Sequence, residues 1–448
     1  MKGIREQLAA LGQDHVLRRL AEIPRAAGDL LLEPLNGLNL STLRAAAMAG
    51  GNAVSSPLDP ALVRPPPLVE APTNRSSSHH EEARLCGEEL LSRGRVGILL
   101  VAGGMGTRLG WDQPKGTFPI GPVTSRTLFE LFFQSIAQLG ALHGVLPPLA
   151  IQTSPDNHEA TEVFLAEHHH FGIPPERVRT FRQGTLPAWT GDGLLALDAS
   201  GQLVLLPDGH GGVYQAFTRN RVGEWMREVG VDHVFYFQVD NALVPMADPT
   251  FMGHHVLSGS QMSTMVIEKK LPHERVGVLA CVGESLRILE YSEIDEALAA
   301  EREETGALRL RAANTGTHAF TLEFLEQMGR ESALPLHTAF KPIPHGEGQV
   351  PGSKMERFVF DALPHARTPL VYQGLRSEVF APVKSAEGAD TAEAAREALM
   401  ALYRRKCGET GEVIPEDTPL ELCPETLSDP HAIRRVVAAW KSGEPLVG

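Results

Sequence analysis

The sequence predicts an α/β protein organised around a mostly parallel sheet. Two observations carry that expectation. Val96–Val101 is an unbroken apolar run, Val-Gly-Ile-Leu-Leu-Val, closed at once by glycines; it is too short for a buried helix and fits a strand covered on both faces. Further short apolar runs at 149–153, 234–239, 264–268 and 276–282 alternate with helix-patterned stretches at 159–168 and 218–229. That alternation is the rhythm of βαβ units.

The other elements follow in chain order. Ile4, Leu8, Leu11, Val16, Leu17 and Leu20 recur at helical spacing and predict an amphipathic helix over 4–23. Residues 29–48 continue in that style, with Ser41 as the expected N-cap of a helix through Met48. The proline- and serine-rich stretch up to 82 reads as a linker or strap. Helices are expected at 83–93 and from Thr127, where Phe129, Phe132 and Phe133 face a core. A helix over 391–406 and a short one near 430–442 close the chain, and no internal repeat is present. The expected organisation is a helical region with linker at 1–90, a catalytic domain at 91–387 and a small region at 388–448.

Composition excludes several function classes. The 448 residues are 42% hydrophobic and 21% charged, which suits a soluble globular enzyme. A net charge of −14 repels nucleic-acid phosphates, so no nucleic-acid partner is expected. Cys86, Cys281, Cys407 and Cys423 lie far apart without a CxxC pair, as in reduced cytosolic proteins. The charged N-terminus lacks a signal-peptide core, and no run approaches the ~20 apolar residues a membrane helix needs. A cytoplasmic protein with no membrane partner is the expectation.

Chemistry concentrates in Ala102-Gly-Gly-Met-Gly-Thr-Arg-Leu-Gly-Trp-Asp-Gln-Pro-Lys-Gly116. Glycines directly after a buried strand let backbone N–H groups approach phosphate oxygens. Arg108 and Lys115 add full positive charges able to hold a polyphosphate. The loop is no P-loop, since GxxxxGK[ST] is missing, and it is a poor dinucleotide fingerprint, since Leu109 stands where a third glycine belongs. Asp240 follows the 234–239 run, and a carboxylate at the carboxyl end of a parallel strand points into the usual ligand crevice.

These motifs resemble the signature of the eukaryotic-type UTP:sugar-1-phosphate uridylyltransferases, the UDP-sugar pyrophosphorylases. The resemblance extends through Leu11–Leu17, Gln183–Ala188, Val239–Asn241, Val276–Val278, Leu289–Glu293, Lys354–Asp361 and Ala381–Ser385, in the order of the family's N-acetylglucosamine branch, and covers about residues 1–405. It implies a Rossmann-like nucleotidyltransferase core with a mixed, mostly parallel sheet. It further implies that UTP and a hexose or N-acetylhexosamine 1-phosphate give UDP-sugar and pyrophosphate, with Mg²⁺ as cofactor.

By that resemblance Ala102, Gly103, Gly104, Gly106 and Thr107 cradle the triphosphate, while Arg108, Lys115 and Lys384 supply catalytic cations. Asp240 holds the metal and contacts the nucleotide; Gln183 reads uracil, with Gly209 nearby. His210, Gly211, Glu293, Asn314 and Thr317 face the sugar. Two positions depart from the N-acetylglucosamine pattern. His210 gives the Gly-His-Gly of glucose-type enzymes, and Thr317 replaces a second asparagine. A UDP-glucose or broad UDP-sugar pyrophosphorylase therefore stays open, as does a non-catalytic sugar-nucleotide binder. Lys354 is a further cation that the family places near phosphate. The pairs His79-His80 and His168-His-His170 have no distant partner at metal-site spacing and read as surface, as does the acidic run 301–304.

Overall fold

The computed structural model describes residues 2–49, 58–71, 78–331 and 334–448; the linker stretches at 50–57 and 72–77 lie outside them. The chain packs as two units. One takes the described part of Met1–Leu58 with Gln183–Ala216 and Arg330–Ala362; the other takes Asp59–Arg182, Phe217–Gly329 and Leu363–Gly448.

The larger unit holds a mixed sheet of eight in-line strands: β1 (Val69–Glu70), β2 (Val96–Val101), β3 (Leu149–Thr153), β4 (Val178–Arg182), β5 (His233–Gln238), β6 (Met262–Glu268), β7 (Ala312–Thr321) and β8 (Leu370–Gln373). Their spatial order is β1-β8-β6-β7-β5-β2-β3-β4. Every pairing is parallel except those of β7, which runs antiparallel to both β5 and β6. Val101 stands opposite both Gln152 and Gln238, so β2, β3 and β5 end level and open one crevice at their carboxyl edge.

β2 is buried along its whole length, as an unbroken apolar run requires. Helix Leu128–His143 covers it with Phe129, Phe132 and Phe133, all within the same apolar core. Tyr403, Leu422, Ile433 and Val437 of the C-terminal residues enter that core too. Buried Glu421 ties this region to the 121–126 turn, accepting from the Val123 and Thr124 N–H groups at 2.8 Å each. Helix Ser78–Ser92 lies against helix Pro249–Leu257 at backbone contact. A Cβ on Gly87 would sit 1.9 Å from the Pro249 oxygen, and one on Gly253 would sit 1.7 Å from the Ala83 oxygen.

Several expectations need correction. The helix expected over 4–23 is two helices, Lys2–Ala10 and Asp14–Glu22, separated by Gly12 at φ +67°. Ser41 lies inside helix Leu40–Ala49, and Asn39 does the capping, accepting from the Thr42 N–H at 3.1 Å. The helix expected over 218–229 breaks into Val213–Arg219 and Val222–Glu228 around Arg221, which adopts φ +56°. The 276–282 run forms an antiparallel hairpin, Val278–Val282 with Ser285–Leu289. Strand β7 was not foreseen, because Asn314-Thr-Gly-Thr-His318 lacks apolar alternation and carries a bulge against β6. His79 and His80 do have a distant neighbour: His80 Nδ1 lies 2.9 Å from His254 Nε2.

The smaller unit joins the N-terminal helices to two ribbons. Thr185–Pro187 pairs with Leu205–Pro207, and His337–His345 pairs with Gly348–Glu356 and through it with Trp189–Thr190. Leu8, Val16, Leu32 and Leu40 pack with Trp189, Leu195 and Met355 in one core. Buried Gln13 stitches the helices to the ribbons, accepting the Leu195 N–H at 2.8 Å.

Candidate active site

In the larger unit, the glycine loop leaves β2 and doubles back on itself. The Gly106 N–H donates to Gln113 and the Lys115 N–H to Gly104, at 3.0 and 3.1 Å. Asn157, just before helix His158–Glu167, holds the loop from behind. Its Nδ2 donates to the Ala102 carbonyl at 2.8 Å and its Oδ1 takes the Ser154 N–H. The sequence reading missed Asn157; its place at the head of a helical stretch is the local signal for a capping or bracing amide. Gly106 must be glycine, because a Cβ there would press on Trp111 at 2.7 Å. Gly104 and Thr107 are exposed, so this backbone is open to a ligand.

The loop delivers Lys115 to a buried position, 7% exposed. Its Nζ donates to the Val383 carbonyl at 2.9 Å, and among the described residues no other partner takes its two remaining donors. Burial lowers the Lys115 pKa from the usual lysine range; Asp240 opposes that shift, while Arg108 and Lys384 reinforce it. Asp240 and Lys384, far from the glycine loop in sequence, thus lie close enough to act on Lys115. Asp240 sits two residues beyond β5, half-buried, and among the described residues no ion pair or side-chain hydrogen bond engages its carboxylate. Its carbonyl takes the Val383 N–H at 2.7 Å. Asn241 pins the same segment by accepting the Ala381 N–H at 2.9 Å. Lys384 pairs with Asp390 at 3.0 Å.

Three other predicted positions lie in this unit. Asn314 donates its N–H to the Gly277 carbonyl at 2.9 Å, and its side chain accepts from Gly316. Glu293 closes its own turn by accepting the Glu290 N–H at 2.8 Å. Thr317 is buried in β7, 1% exposed.

The smaller unit carries Gln183, Gly209, His210 and Gly211. Thr185 stands opposite Pro207, so Gln183 and Gly209 flank one end of a two-stranded ribbon. Gly209 adopts φ +84°, and a Cβ on it would strike the Arg357 oxygen at 2.5 Å. The loop thus rests on Arg357 and Phe358. His210 stacks on Phe358 with centroids 5.2 Å apart. Its Nδ1 accepts the Val359 N–H at 3.0 Å, so the neutral ring carries its proton on Nε2. Buried Asp208 lies 3.8 Å from Arg357; this pair was not foreseen. Lys354 is ion-paired with Glu356 in this unit.

A divalent cation would find an oxygen ligand in Asp240. No group of three or more His, Cys, Asp or Glu side chains able to hold a metal occurs among the described residues. One carboxylate, with phosphate oxygens and water completing the shell, is the donor chemistry that Mg²⁺ accepts.

The family profile described as UTP–glucose-1-phosphate uridylyltransferase matches residues 63–403. Among curated proteins, UDP-N-acetylglucosamine diphosphorylase 2 of Arabidopsis thaliana is 34% identical, over 93% of this chain and 86% of its own length. UDP-N-acetylhexosamine pyrophosphorylase-like protein 1 of Homo sapiens is 36% identical, over 90% of this chain and 84% of its own. A solved UDP-N-acetylglucosamine pyrophosphorylase of Trypanosoma brucei superposes with a TM-score of 0.85 at 24% identity, covering 99% of this chain and 96% of that one. That last likeness speaks for the fold, the mixed α/β sheet described above.

Proposed function

Since the chain belongs to the UTP–glucose-1-phosphate uridylyltransferase family and is a nucleotidyltransferase of the UDP-sugar pyrophosphorylase kind, we propose that it joins UTP to an N-acetylhexosamine 1-phosphate, releasing pyrophosphate. The observation that carries the reading is the buried Lys115 ammonium, positioned by a glycine loop and tied through Val383 to Asp240, whose carboxylate has no ion-pair partner among the described residues.

The chemistry follows from the charges. A phosphate oxygen of the sugar 1-phosphate attacks the α-phosphorus of UTP in line. The bond from that phosphorus to the α–β bridging oxygen breaks, and pyrophosphate leaves with the electron pair. No covalent enzyme intermediate is needed, so the protein's task is placement and charge neutralisation. The loop N–H groups of Gly103, Gly104 and Gly106, with Thr107, bind phosphate oxygens. Lys115 keeps two donors for the α- and β-phosphates, fixed in direction by its bond to Val383. Arg108 and Lys384 offset the charge gathering on the leaving group. Mg²⁺ held by Asp240 would neutralise phosphate charge when bound.

Gln183 would read the imide edge of uracil, since an amide both donates and accepts. By the sequence resemblance, His210, Gly211, Glu293, Asn314 and Thr317 are the residues proposed to face the sugar. The names of the relatives support an N-acetylated sugar. A second reading, a plain hexose, is favoured by His210, whose ring fills the Gly-His-Gly loop on Phe358. A cytoplasmic location belongs to the same reading, supported by four unpaired cysteines; among the described residues no helix is long and apolar enough to cross a membrane.

Pyrophosphate release from UTP, measured with a panel of sugar 1-phosphates with and without Mg²⁺, tests all of this. The expected result is Mg²⁺-dependent release, fastest with an N-acetylhexosamine 1-phosphate. Absence of release with every sugar phosphate overturns the reading.

A further inference from the structure

Beside Lys115 and Asp240, the larger unit contains a cleft of about 860 Å³ whose lining includes Arg108, Lys384, Arg376, Lys270, Arg275 and Phe380. Five Lys and Arg side chains face three carboxylates, Glu274, Glu387 and Asp390, in a protein whose net charge is −14. The sign of the surface is therefore inverted here, and such a concave patch focuses an anion.

The two inner cations are already engaged. Arg376 pairs with Glu274 and lies 5.8 Å over the Phe380 ring; Lys384 pairs with Asp390 at 3.0 Å and lies 5.9 Å from the same ring. Lys270 and Arg275 are exposed, and among the described residues no carboxylate lies within ion-pair distance of either. Both stand on the loop between β6 and the Val278–Val282 strand, and that loop is tied down. The Lys270 N–H donates to the Glu274 carboxylate at 3.2 Å, and the Gly277 carbonyl takes the Asn314 N–H at 2.9 Å. Across the cleft, the Ala386 N–H donates to the Arg108 carbonyl at 2.9 Å, joining the glycine loop to the Lys384 segment. The cleft is thus continuous with the cations of the reaction site, and its volume far exceeds one phosphate.

We propose that this cleft receives the departing pyrophosphate, and that Lys270 and Arg275 bind it there. The inference rests on the reading of the glycine loop as a triphosphate site and extends it by two residues that no motif marks. A multiply charged product is drawn off the reacting centre toward unpaired cations, then released to solvent from an open cleft. Lys270 and Arg275 are binding residues for the product and take no part in the bond changes.

The test is the double variant K270A/R275A of the full chain. In the forward reaction, the pyrophosphate concentration giving half-inhibition should rise about tenfold, while KM for UTP and for the sugar 1-phosphate stays within about twofold. Titration calorimetry with pyrophosphate alone should show the same loss. Added salt should relieve pyrophosphate inhibition more in the wild type than in the variant. An unchanged thermal midpoint checks folding, since both side chains are exposed. Unchanged pyrophosphate inhibition and binding in an active enzyme overturns the inference and leaves the reaction assignment standing. A rise in KM for UTP or the sugar phosphate instead assigns the two cations to a substrate and also overturns it. A wild type that releases no pyrophosphate from UTP removes both together.

Discussion

The Lys115 ammonium donates to the Val383 carbonyl at 2.9 Å, and the Val383 N–H donates to the Asp240 carbonyl at 2.7 Å. One residue therefore joins the lysine of the glycine loop to the acidic residue after β5. The cation and the carboxylate proposed to hold opposite sides of a triphosphate are set by a backbone strut rather than by pairing with each other.

Removing the charge of Lys115 should be severe. Lys115→Ala is expected to lower kcat/KM by at least ~100-fold, the scale of one lost preorganised contact. Lys115→Met fills the buried space without charge and should be equally slow, which separates charge from packing. Steady-state kinetics near the wild-type rate in Lys115→Met would remove the assigned role.

Asp240→Asn keeps the shape and removes the charge. Activity should fall by at least ~100-fold, and the Mg²⁺ concentration for half-activation should rise. A variant with unaltered Mg²⁺ dependence would place the cation elsewhere.

His210→Asn tests the sugar. The change should raise the preference for N-acetylhexosamine over hexose 1-phosphate, measured as the ratio of the two kcat/KM values. An unchanged ratio shows that the position does not select the sugar.

Acid should weaken the fold through the histidines of helix Pro249–Leu257. Burial, reinforced by His79 and His80, holds His254 at about 4; burial and His233 hold His255 at about 3. The unfolded chain takes up these protons near pH 6.5. Between that pH and about 4 the unfolded state binds more protons, so stability is lost as pH falls. The thermal midpoint should be lower at pH 5 than at pH 7.5, and His254→Gln should flatten that difference. Identical pH slopes for variant and wild type would disprove the contribution of His254.

Helix contact through Gly253 leaves no room for a methyl. Its Cβ would stand 1.7 Å from the Ala83 oxygen, so Gly253→Ala should cost about 3 kcal/mol or more in chemical denaturation. Gly408→Ala, in helix Ala392–Glu409 with no atom near the added methyl, should be neutral or stabilising by up to about 1 kcal/mol. Equal effects of the two substitutions would deny the close helix contact.

The sequence by itself determined the local elements whose signals are local. The 96–101 run is β2 to the residue, 149–153 is β3, and the glycine loop with Lys115 follows as expected. Apolar periodicity and glycine clusters act over a few residues, so they can be read without a fold. Only the tertiary structure decided what depends on distant chain segments. Polar strand β7, antiparallel between β5 and β6, is stabilised by pairing on both sides, a property no stretch of its own residues displays. Asn157 became a brace for the glycine loop, Val383 became the strut of the site, and His254 met His80, because packing brings those groups within 3 Å across tens to hundreds of residues. The cleft of Lys270 and Arg275 likewise exists only once three separate loops and two helices close around it.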